Sequence, residues 1–360
     1  MNIVQATRDY ERWLNRHTPL IQSELRTKHL AMSANIFSFL RGTFYRWAQV
    51  WPDVCRDLAR TPRVLAVGDL HVENFGTWRD IEGRLVWGIN DFDEAVPSAY
   101  TNDLVRLTTS SILAAEIDQL LIDPRCSAEA ILEGYTDGLL KGGKPFLLGE
   151  KNKRLLEMAL GEMRAPAIFW RQMDAMQRIP KIPKEIHRAI QPLLQDPKMA
   201  LVFAHRIAGL GSLGRHRYVA LGTWRGGRIA REAKPLVPSA AVWAGQANEG
   251  SGILYQRILD KAVRCVDPFV HMEGDWIVRR LSPDCSRIEL RSLPIRRDEM
   301  RLLYSMGWET ANVHLGTAGA QRRIAADLKK RDPAWLLTAA RQMAKVVSAD
   351  WKDWRATRTR

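Results

Sequence analysis

The spacing of apolar residues changes twice along the chain, and these two changes constrain its fold most strongly. Residues 1–200 carry apolar side chains mainly at intervals near 3.6, which is typical of helices, with one compact β section among them. Residues 201–282 show the pattern of short strands separated by tight turns, and helical spacing returns after Pro294. The sequence therefore predicts an α+β protein, in which a mainly helical large lobe, completed by residues 283–360, holds a small antiparallel β lobe.

The length of the chain independently favours two lobes. A single hydrophobic core rarely organises more than roughly 250–300 residues, and this chain has 360. Its apolar fraction of 46% and charged fraction of 26% exclude collagen-like, coiled-coil and mostly disordered chains. We expect a cytoplasmic protein without a membrane partner, because no apolar stretch approaches about 18 residues and charges occupy the N-terminus where a signal peptide needs an apolar core.

The small lobe has recognisable strands and turns. The turn between the last two strands is expected at Glu273-Gly274-Asp275, and a helix is expected over residues 253–263. The predicted strands cover residues 202–208, 217–221, 228–234, 269–272 and 276–281.

The cysteines show no spacing typical of a metal site or a disulfide framework, because no two of them form a C-x-x-C pair. We expect all four to be reduced thiols in the core. They are Cys55, Cys126, Cys265 and Cys285.

The last forty residues are strongly basic, and they contain eleven Lys/Arg and four Asp, which is half of the formal charge of +14. Trp335, Trp351 and Trp354 are interleaved with these charges, a pattern that nucleic-acid-binding segments share. A solvated amphipathic helix over residues 333–349 explains the same pattern. We favour the helix, so nucleic acid is the less favoured partner.

Two polar segments lie on either side of a predicted hairpin. The first is Val67-Gly-Asp-Leu-His-Val-Glu-Asn-Phe-Gly76, and the second is Ile89-Asn-Asp-Phe-Asp-Glu-Ala95. A hairpin closed near Glu82 and Gly83, with strands at its two sides, places Asn74 roughly opposite Asp91.

An amide oxygen beside a carboxylate suits Mg²⁺ that is held mainly by nucleotide phosphates, so Asn74 and Asp91 are candidate metal ligands. Asp69 precedes Asn74 by five residues and is the candidate base that accepts a proton from an attacking hydroxyl. The alternative interpretation is a polar turn, in which Asp and Asn occur only for their turn propensity.

A glycine-rich segment, Gly209-Leu-Gly-Ser-Leu-Gly214, opens the small lobe. A dinucleotide site would require a helix after it and an acidic residue about 20 positions on, but a predicted strand follows, and Lys234 stands at that position. A glycine-rich loop between two strands with a lysine on the third covers ATP phosphates in kinases. The candidate nucleotide-binding residues are therefore Gly209, Gly211, Ser212, Gly214 and Lys234, unless the glycines serve only a tight hairpin.

The first segment resembles the motif series of aminoglycoside phosphotransferases and related kinase-like enzymes. The matching residues are Gly68-Asp-Leu-His71 with Asn74, Asp91-Phe-Asp-Glu-Ala95 and Asn102-Asp-Leu104, although Val67 replaces the usual histidine before Gly-Asp. The resemblance implies that Asp69 is the catalytic base, that Asn74 and Asp91 bind magnesium, and that Asp103 braces the catalytic loop.

The order of the motifs departs from ordinary kinases, in which the glycine-rich loop and its lysine come first. Here they follow Asp69 by about 140 residues. The resemblance therefore implies a protein-kinase-like bilobal fold that is circularly permuted, a rearrangement that neighbouring termini allow.

Most of the chain, from about Asn35 to Leu315, also resembles an uncharacterised bacterial group, the domain-of-unknown-function family 2252. This resemblance implies a kinase-like fold and no substrate. It is carried by Phe37-Ser-Phe-Leu-Arg-Gly-Thr43, Gly68 to Gly76, Asn90-Asp-Phe-Asp-Glu94, Gly209 to Gly214 and Lys234.

Further candidates have two interpretations each. A helical glutamate normally fixes the kinase lysine, and Glu249 or the alternative Gln256 could do so here. His71 either orients the catalytic loop or is a structural histidine, and Arg41 either contacts a phosphate or bridges the surface. Asp93 is either a second metal ligand or the cap of a turn.

Together these features predict a phosphotransferase that uses ATP and Mg²⁺ and acts on a hydroxyl or amine acceptor, either a small molecule or a protein. The same motifs serve adenylyl transfer, and neither the acceptor nor the oligomeric state follows from them. A two-metal phosphoesterase is a weaker alternative, because Gly-Asp-Leu-His71 matches a metallophosphatase motif but the chain lacks a G-N-H-[DE] sequence. The second alternative is a non-catalytic nucleotide- or nucleic-acid-binding protein.

Overall fold

The computed structural model describes residues 1–120, 122–163, 165–248, 250, 252–290, 293 and 298–357. Helices and small antiparallel sheets make up this part of the chain, so the prediction of a mixed α+β protein is confirmed. None of the described helices is long and apolar enough to cross a membrane.

Helices form the N-terminal region. Asn2 and Asn35 cap two of them, because their side chains accept hydrogen bonds from the backbone N–H groups of Gln5 and Ser38. The helices are α1 (Ile3–His17), α2 (Gln22–Ala34), α3 (Ile36–Gly42), α4 (Phe44–Val54) and α5 (Arg56–Ala59).

The β section that follows forms two small sheets. The strands β1 and β4 pair with one another, and β2 and β3 form the expected hairpin. The bounds are β1 (Arg63–Ala66), β2 (Phe75–Arg79), β3 (Leu85–Ile89) and β4 (Val96–Ala99).

A mainly helical stretch leads from this section to most of the strands of a larger sheet. The strand β5 in this stretch pairs with β3 and so adds a third strand to the β2–β3 hairpin. A 3₁₀ turn over Gln191–Leu193 follows the last helix of the stretch. The elements are α6 (Tyr100–Ile117), α7 (Pro124–Leu140), β5 (Phe146–Leu147), α8 (Leu148–Lys151), α9 (Lys153–Glu162), α10 (Pro166–Asp174), β6 (Arg178–Ile179) and α11 (Lys184–Ile190).

The strands predicted for the small lobe all lie in one six-stranded antiparallel sheet, in the order β10-β11-β9-β8-β7-β6. Arg225 and Gly226 close the β8–β9 hairpin with positive φ angles of 45° and 82°, the conformation of a two-residue type I′ turn. The elements after α11 are β7 (Val202–His205), β8 (Tyr218–Trp224), β9 (Gly227–Pro235), α12 (Ala240–Trp243), α13 (Tyr255–Lys261), β10 (Val270–Glu273) and β11 (Trp276–Leu281).

The six-stranded sheet also uses residues that precede Leu201. The two-residue strand β6 pairs with β7, and Ile186 of α11 packs among Tyr218, Ala233 and Val278. Phe169 and Met173 of α10 pack against Val219 and Leu221, whose side chains point to the opposite face from those of Tyr218 and Ala220. Residues from about 166 onward therefore contribute to the packing of both faces of this sheet.

The chain ends in α14 (Asp298–His314), α15 (Ala320–Leu328) and α16 (Trp335–Ala356). The helix α14 packs closely on α7, which lies far earlier in the chain. Gly134 on α7 permits this approach, since a Cβ atom there would lie 1.9 Å from the carbonyl oxygen of Tyr304. Gly307 on α14 permits it equally, since a Cβ atom there would lie 2.0 Å from the carbonyl oxygen of Ile131.

The last helix, α16, packs against α6 and extends seven residues beyond the C-terminal end that the sequence indicated. Met343, Val347 and Trp354 are buried, whereas Trp335 and Trp351 are half-buried against the core. The aromatic residues of the basic segment therefore serve packing.

The cysteines are free, as expected, but they are not all in the core. Cys55 is buried, Cys265 and Cys285 are half-buried, and Cys126 is exposed. The prediction of four buried thiols is therefore wrong for Cys126, which lies in the first turn of α7 behind its cap residue, Asp123.

Candidate functional site

The candidate metal ligands lie where the β2–β3 hairpin opens. The backbone N–H of Asn90 donates to the carbonyl oxygen of Asn74 over 3.1 Å, so Asp91 stands one residue beyond the position opposite Asn74. The Oδ1 atom of Asn74 also accepts a hydrogen bond from the backbone N–H of His71, over 2.7 Å. This bond fixes the direction of the amide oxygen and leaves it a second lone pair.

Asp69 lies in a loop that Asp103 and a glycine shape. The two carboxylate oxygens of Asp103 accept hydrogen bonds from the backbone N–H groups of Val67 and Gly68, over 2.7 and 3.0 Å. Gly68 has a φ angle of +83°, and a Cβ atom there would fall 2.2 Å from the carbonyl oxygen of Glu94. Any other residue at this position would therefore displace the Asp69 backbone.

A histidine completes the support of this loop. His314, at the end of α14, is fully buried, and its Nε2 atom lies 3.0 Å from Asp103, while Nδ1 lies 2.8 Å from the hydroxyl of Tyr135. No local motif connects His314 with a carboxylate 211 residues away, so the sequence alone does not indicate this role.

Asp69 is held by Arg106, a second residue that the motifs did not indicate. The Nε atom of Arg106 donates to Asp69 Oδ1 over 2.9 Å, and Nη2 donates to the same oxygen. The guanidinium is fully buried and lies over the rings of Phe44 and Trp47. Burial raises the pKa of Asp69, and Arg106 offsets only part of that rise. The other carboxylate oxygen faces the glycine-rich loop, 3.8 Å from where a Cβ atom of Gly211 would stand.

Lys234 reaches the same place from the six-stranded sheet. It lies on β9 opposite Ile277, and its Nζ atom is 2.6 Å from Asp93 Oδ1 and 3.4 Å from Asp91 Oδ1. Burial favours the protonated form of Asp91, but Lys234 and then Arg279 outweigh it and hold the pKa of that carboxyl well below its usual range. The structure thus brings the candidate lysine of the small lobe onto both carboxylates of the early hairpin.

The glycine-rich loop connects β7 with β8 and covers Asp69. Gly209 and Gly214 have φ angles of +75° and +94°, and a 3₁₀ turn over Leu210–Ser212 lies between them. Ser212 donates to the carbonyl oxygen of Gly209 over 3.1 Å and accepts from Arg217, so its hydroxyl is engaged within the loop and its flank.

The helix α2 holds this loop from outside, a contact that the sequence analysis did not anticipate. Lys28 Nζ donates to the carbonyl oxygen of Gly211 over 3.1 Å, and the backbone N–H of Gly214 donates to Glu24. A Cβ atom at Gly214 would stand 2.6 Å from a methyl group of Leu25. The loop and α2 are therefore packed in direct contact.

Of the four remaining candidate residues, the three that the structure describes do not share a common position in the site. Arg41 forms an ion pair of 2.7 Å with Glu73 and lies over the ring of Phe37. Burial and the nearby Arg41 lower the pKa of His71 well below its usual value, so its ring is neutral, and the Nδ1 atom accepts from the backbone N–H of Glu73. Gln256 is bonded to Asp260 on its own helix. Glu249 lies outside the described residues.

Two cavities meet at the candidate metal ligands. The smaller, of about 60 Å³, is lined by Asp69, Glu94, the glycine-rich loop and α2. The larger, of about 530 Å³, extends between the β2–β3 hairpin and β11. Asn74 and Asp91 line both, so they lie at the boundary between the cavity that contains the Asp69 carboxylate and a cavity large enough for a small ligand.

The donors at this boundary suit only a metal ion that brings other ligands with it. The described residues contain no group of three His, Cys, Asp or Glu that could hold a metal ion. An amide oxygen and one or two carboxylates fit Mg²⁺, which usually keeps water and phosphate oxygens among its ligands. Asn74, Asp91 and Asp93 would therefore hold magnesium jointly with a nucleotide.

Comparison with known sequences supports a relationship over the first part of the chain. A family described as an uncharacterized protein conserved in bacteria (DUF2252) matches residues 20–161, a shorter range than the motifs indicated. That range includes Asp69, Asn74, Asp91 and Asp103 and ends before the glycine-rich loop. No curated protein and no solved structure matches the chain. The chain is therefore similar to this family from α2 into α9, and the similarity brings no activity with it.

Proposed function

We propose that this chain is an ATP- and Mg²⁺-dependent phosphotransferase that acts on a hydroxyl or amine acceptor. The observation that carries the proposal is the contact of Lys234 with Asp91 and Asp93. This contact connects the sheet that holds the glycine-rich loop with the segment that follows the β2–β3 hairpin. A lysine beside metal-binding carboxylates is the arrangement that positions and neutralises a triphosphate.

The larger cavity is the candidate nucleotide site. Its volume of about 530 Å³ lies within the range of roughly 300–1,000 Å³ that small-ligand sites occupy. Phe92, Leu259 and Leu281 offer apolar surface for a base, while Asp91, which pairs with Lys234, marks the end where phosphates would lie. Arginines suit the polyanion, and those lining the cavity are Arg206, Arg264, Arg279, Arg280 and Arg287.

Asp69 is the candidate general base. The hydroxyl proton of the acceptor passes to its free carboxylate oxygen, the acceptor oxygen bonds to the γ-phosphorus, and the bond between that phosphorus and the β–γ bridging oxygen breaks to release ADP. Arg106 holds the other oxygen and so orients the carboxylate. The raised pKa of Asp69 makes it a stronger base than an exposed aspartate.

The order of the elements supports a circularly permuted, kinase-like bilobal fold. The glycine-loop sheet comes after the Asp69 segment in the chain, and α14 then returns to pack on α7 of the large lobe. His314 at the end of α14 bonds Asp103, so the segment after the sheet supports the loop that the earlier segment forms.

The alternatives gain no comparable support. Two-metal hydrolysis needs a cluster of further carboxylate and histidine ligands, which the described residues do not form. The basic C-terminal helix uses Trp354 and Val347 for packing, so a stacking platform for nucleic acid is not supported there.

Binding of a non-hydrolysable ATP analogue, measured by calorimetry with and without Mg²⁺, tests the proposal. We expect the wild type to bind the analogue in a magnesium-dependent manner and Asp91→Ala to lose that dependence and all turnover. Asp174→Ala is the matched control, because Asp174 is an exposed partner of Arg228 on the outer surface and its loss should change neither property.

A second variant separates chemistry from binding. Asp69→Asn should retain magnesium-dependent binding of the analogue and lose ADP release with every hydroxyl or amine acceptor that the wild type uses. Absence of magnesium-dependent nucleotide binding by the wild type would refute the proposed function.

A further inference from the structure

The smaller cavity contains cations whose hydrogen-bonding capacity is unused. Arg215 lines it, is only 7% exposed, and approaches Asp93 no closer than 4.0 Å. Its buried Nε atom has no hydrogen-bond partner among the described residues. An unsatisfied guanidinium N–H in a buried site is costly unless a ligand accepts from it.

Lys28 enters the same cavity from α2. It is 4% exposed, and its Nζ atom uses one hydrogen bond on Gly211. An ammonium group has three donors, so two of them have no hydrogen-bond partner beyond Gly211 among the described residues. The carboxylates of Glu11, Glu94 and Asp69 favour the charged form of Lys28. Burial lowers the pKa of Lys28 to about 8, so the group is still mostly charged at neutral pH.

Arg41 is the third cation at this cavity. One of its terminal nitrogens pairs with Glu73, but its buried Nε atom makes no hydrogen bond to any described group. Its carbonyl oxygen lies 3.3 Å from where a Cβ atom of Gly211 would stand, so the arginine is next to the glycine-rich loop.

The carboxylates around the cavity are largely engaged elsewhere. Arg106 holds one oxygen of Asp69, and Lys234 pairs with Asp91 and Asp93. One oxygen of Glu94, which also lines the cavity, accepts from Ser239 and from the backbone N–H of Ala240. The buried Nε donors of Arg41 and Arg215 therefore have no acceptor among the carboxylates around the cavity.

We propose that Lys28, Arg41 and Arg215 form a binding site for one phosphate group beside Asp69. The cavity of about 60 Å³ matches such a group in size, because a buried water needs about 10–15 Å³ and the space thus holds about four oxygen atoms. Arginine forks and a lysine ammonium are the usual phosphate partners in proteins.

The source of this phosphate is tied to the proposed function, on which this part of the inference rests. It is either the terminal phosphate of the bound nucleotide or a phosphate group that the acceptor already carries. The site lies next to the carboxylate oxygen that would take the acceptor's proton, where the terminal phosphate and the acceptor would meet.

Titration of the full-length chain with inorganic phosphate in the calorimeter tests the site. We expect one phosphate per chain in the wild type and at least about tenfold weaker binding in Lys28→Met, since one charge-assisted bond is lost. Arg26→Met is the matched control, because Arg26 is an exposed cation on the same helix and should bind phosphate as the wild type does.

Arg215→Lys is a second test of the site, which remains informative if Lys28→Met does not fold. It keeps the charge and loses the guanidinium fork, so it should weaken phosphate binding while its thermal midpoint stays close to that of the wild type. Equal phosphate affinity of the wild type, Lys28→Met and Arg215→Lys would overturn the assignment, as would absence of binding to the wild type.

Repeating the titration with Mg²⁺ and a saturating ATP analogue distinguishes the two sources. Loss of phosphate binding assigns the site to the terminal phosphate of the nucleotide, and persistent binding assigns it to a phosphorylated acceptor. Analogue binding without any phosphate binding would overturn this inference and leave the proposed function standing, whereas phosphate binding without analogue binding would do the reverse.

Discussion

Replacement of Lys234 by methionine should destabilise the protein far more than loss of an ordinary lysine ion pair. The side chain of Lys234 is 2% exposed and pairs with Asp93 at 2.6 Å and Asp91 at 3.4 Å. Removing one partner of a buried ion pair costs about 3–5 kcal/mol, because the remaining charge is uncompensated. Asp91 is 35% exposed, so solvent screens part of that charge. We therefore expect a loss near the lower end, about 3 kcal/mol.

The loss should depend on pH in a defined direction. Lys234 and Arg279 hold the pKa of Asp91 below its usual value against the effect of burial, so the ionised pair stabilises the wild type above the usual carboxyl pKa, near 4. This contribution disappears as the pH falls. In Lys234→Met the largest opposing charge is gone and Arg279 remains, so burial raises the pKa of Asp91 relative to the wild type. Asp91 of the variant is therefore protonated at a higher pH, and its uncompensated charge is removed there. The difference between wild type and variant should be full at pH 7 and shrink toward pH 4.

Urea denaturation followed by tryptophan fluorescence measures both effects. Lys141→Met is the matched control, because Lys141 pairs with Asp137 at 2.6 Å but is 60% exposed. Such a pair contributes about 0–1 kcal/mol. A loss in Lys234→Met no larger than in Lys141→Met, or one that is the same at pH 7 and pH 4, would refute the buried pair.

The same variant tests whether these carboxylates bind magnesium. Without Lys234, Asp91 and Asp93 are adjacent hard oxygen donors, and free Mg²⁺ should stabilise the variant more than the wild type. At about 10 mM Mg²⁺ and a dissociation constant of about 1 mM, mass action returns about 1.4 kcal/mol. Magnesium without effect on Lys234→Met would count against a metal site at this position.

One further variant tests the buried carboxyl group of Glu309, and a pair of glycine variants tests the packing of α14 on α7. Burial raises the pKa of Glu309 to about 7, with Arg264 offsetting it only in part, so folding retains a proton that the unfolded chain releases above about 4.5. The contribution of Glu309 to wild-type stability should therefore fall by about 3 kcal/mol between pH 4.5 and 7, and Glu309→Gln should remove that part of the pH dependence, as the difference in urea midpoint between the two proteins at each pH would report. Gly134→Ala should lower the free energy of unfolding by about 3 kcal/mol, because its Cβ atom would meet Tyr304 at 1.9 Å, whereas Gly161→Ala, with open space around it, should leave stability unchanged or raise it by up to about 1 kcal/mol. Equal thermal midpoints for these two alanine variants would contradict the close helix contact.

Local patterns predicted the strands that have strong local signals. The strands β3 and β11 have the bounds that the sequence indicated, Leu85–Ile89 and Trp276–Leu281, because apolar runs end in turn residues on both sides. The strand β6 was not predicted, since two residues, Arg178–Ile179, have no periodicity of their own and are ordered by pairing with β7. The helix α12 is only four residues long and was missed for the same reason.

The residues of the site likewise fall into those that local motifs predicted and those that only the packing of distant elements brings there. Asp69, Asn74 and Asp91 stand in compact segments whose composition alone attracted attention. Arg106 and His314 hold the candidate base and its loop, yet each occurs in an ordinary helical pattern. Their partners are set by how helices pack on the β section, which a pattern of residue types does not specify.

Three carboxylates of the site are each paired with a cation or a histidine from a distant part of the chain. Arg106 lies 37 residues from Asp69, Lys234 lies 143 residues from Asp91, and His314 lies 211 residues from Asp103. The isolated hairpin and its flanking loops would carry their carboxylates close together without compensation, so the site becomes favourable only once the sheet and the last helices have packed. Assembly of the site and folding of the whole chain are therefore coupled. A variant that loses nucleotide binding without a change in its free energy of unfolding has lost a ligand contact. A variant that loses nucleotide binding and is also less stable has lost the packing that positions the carboxylates.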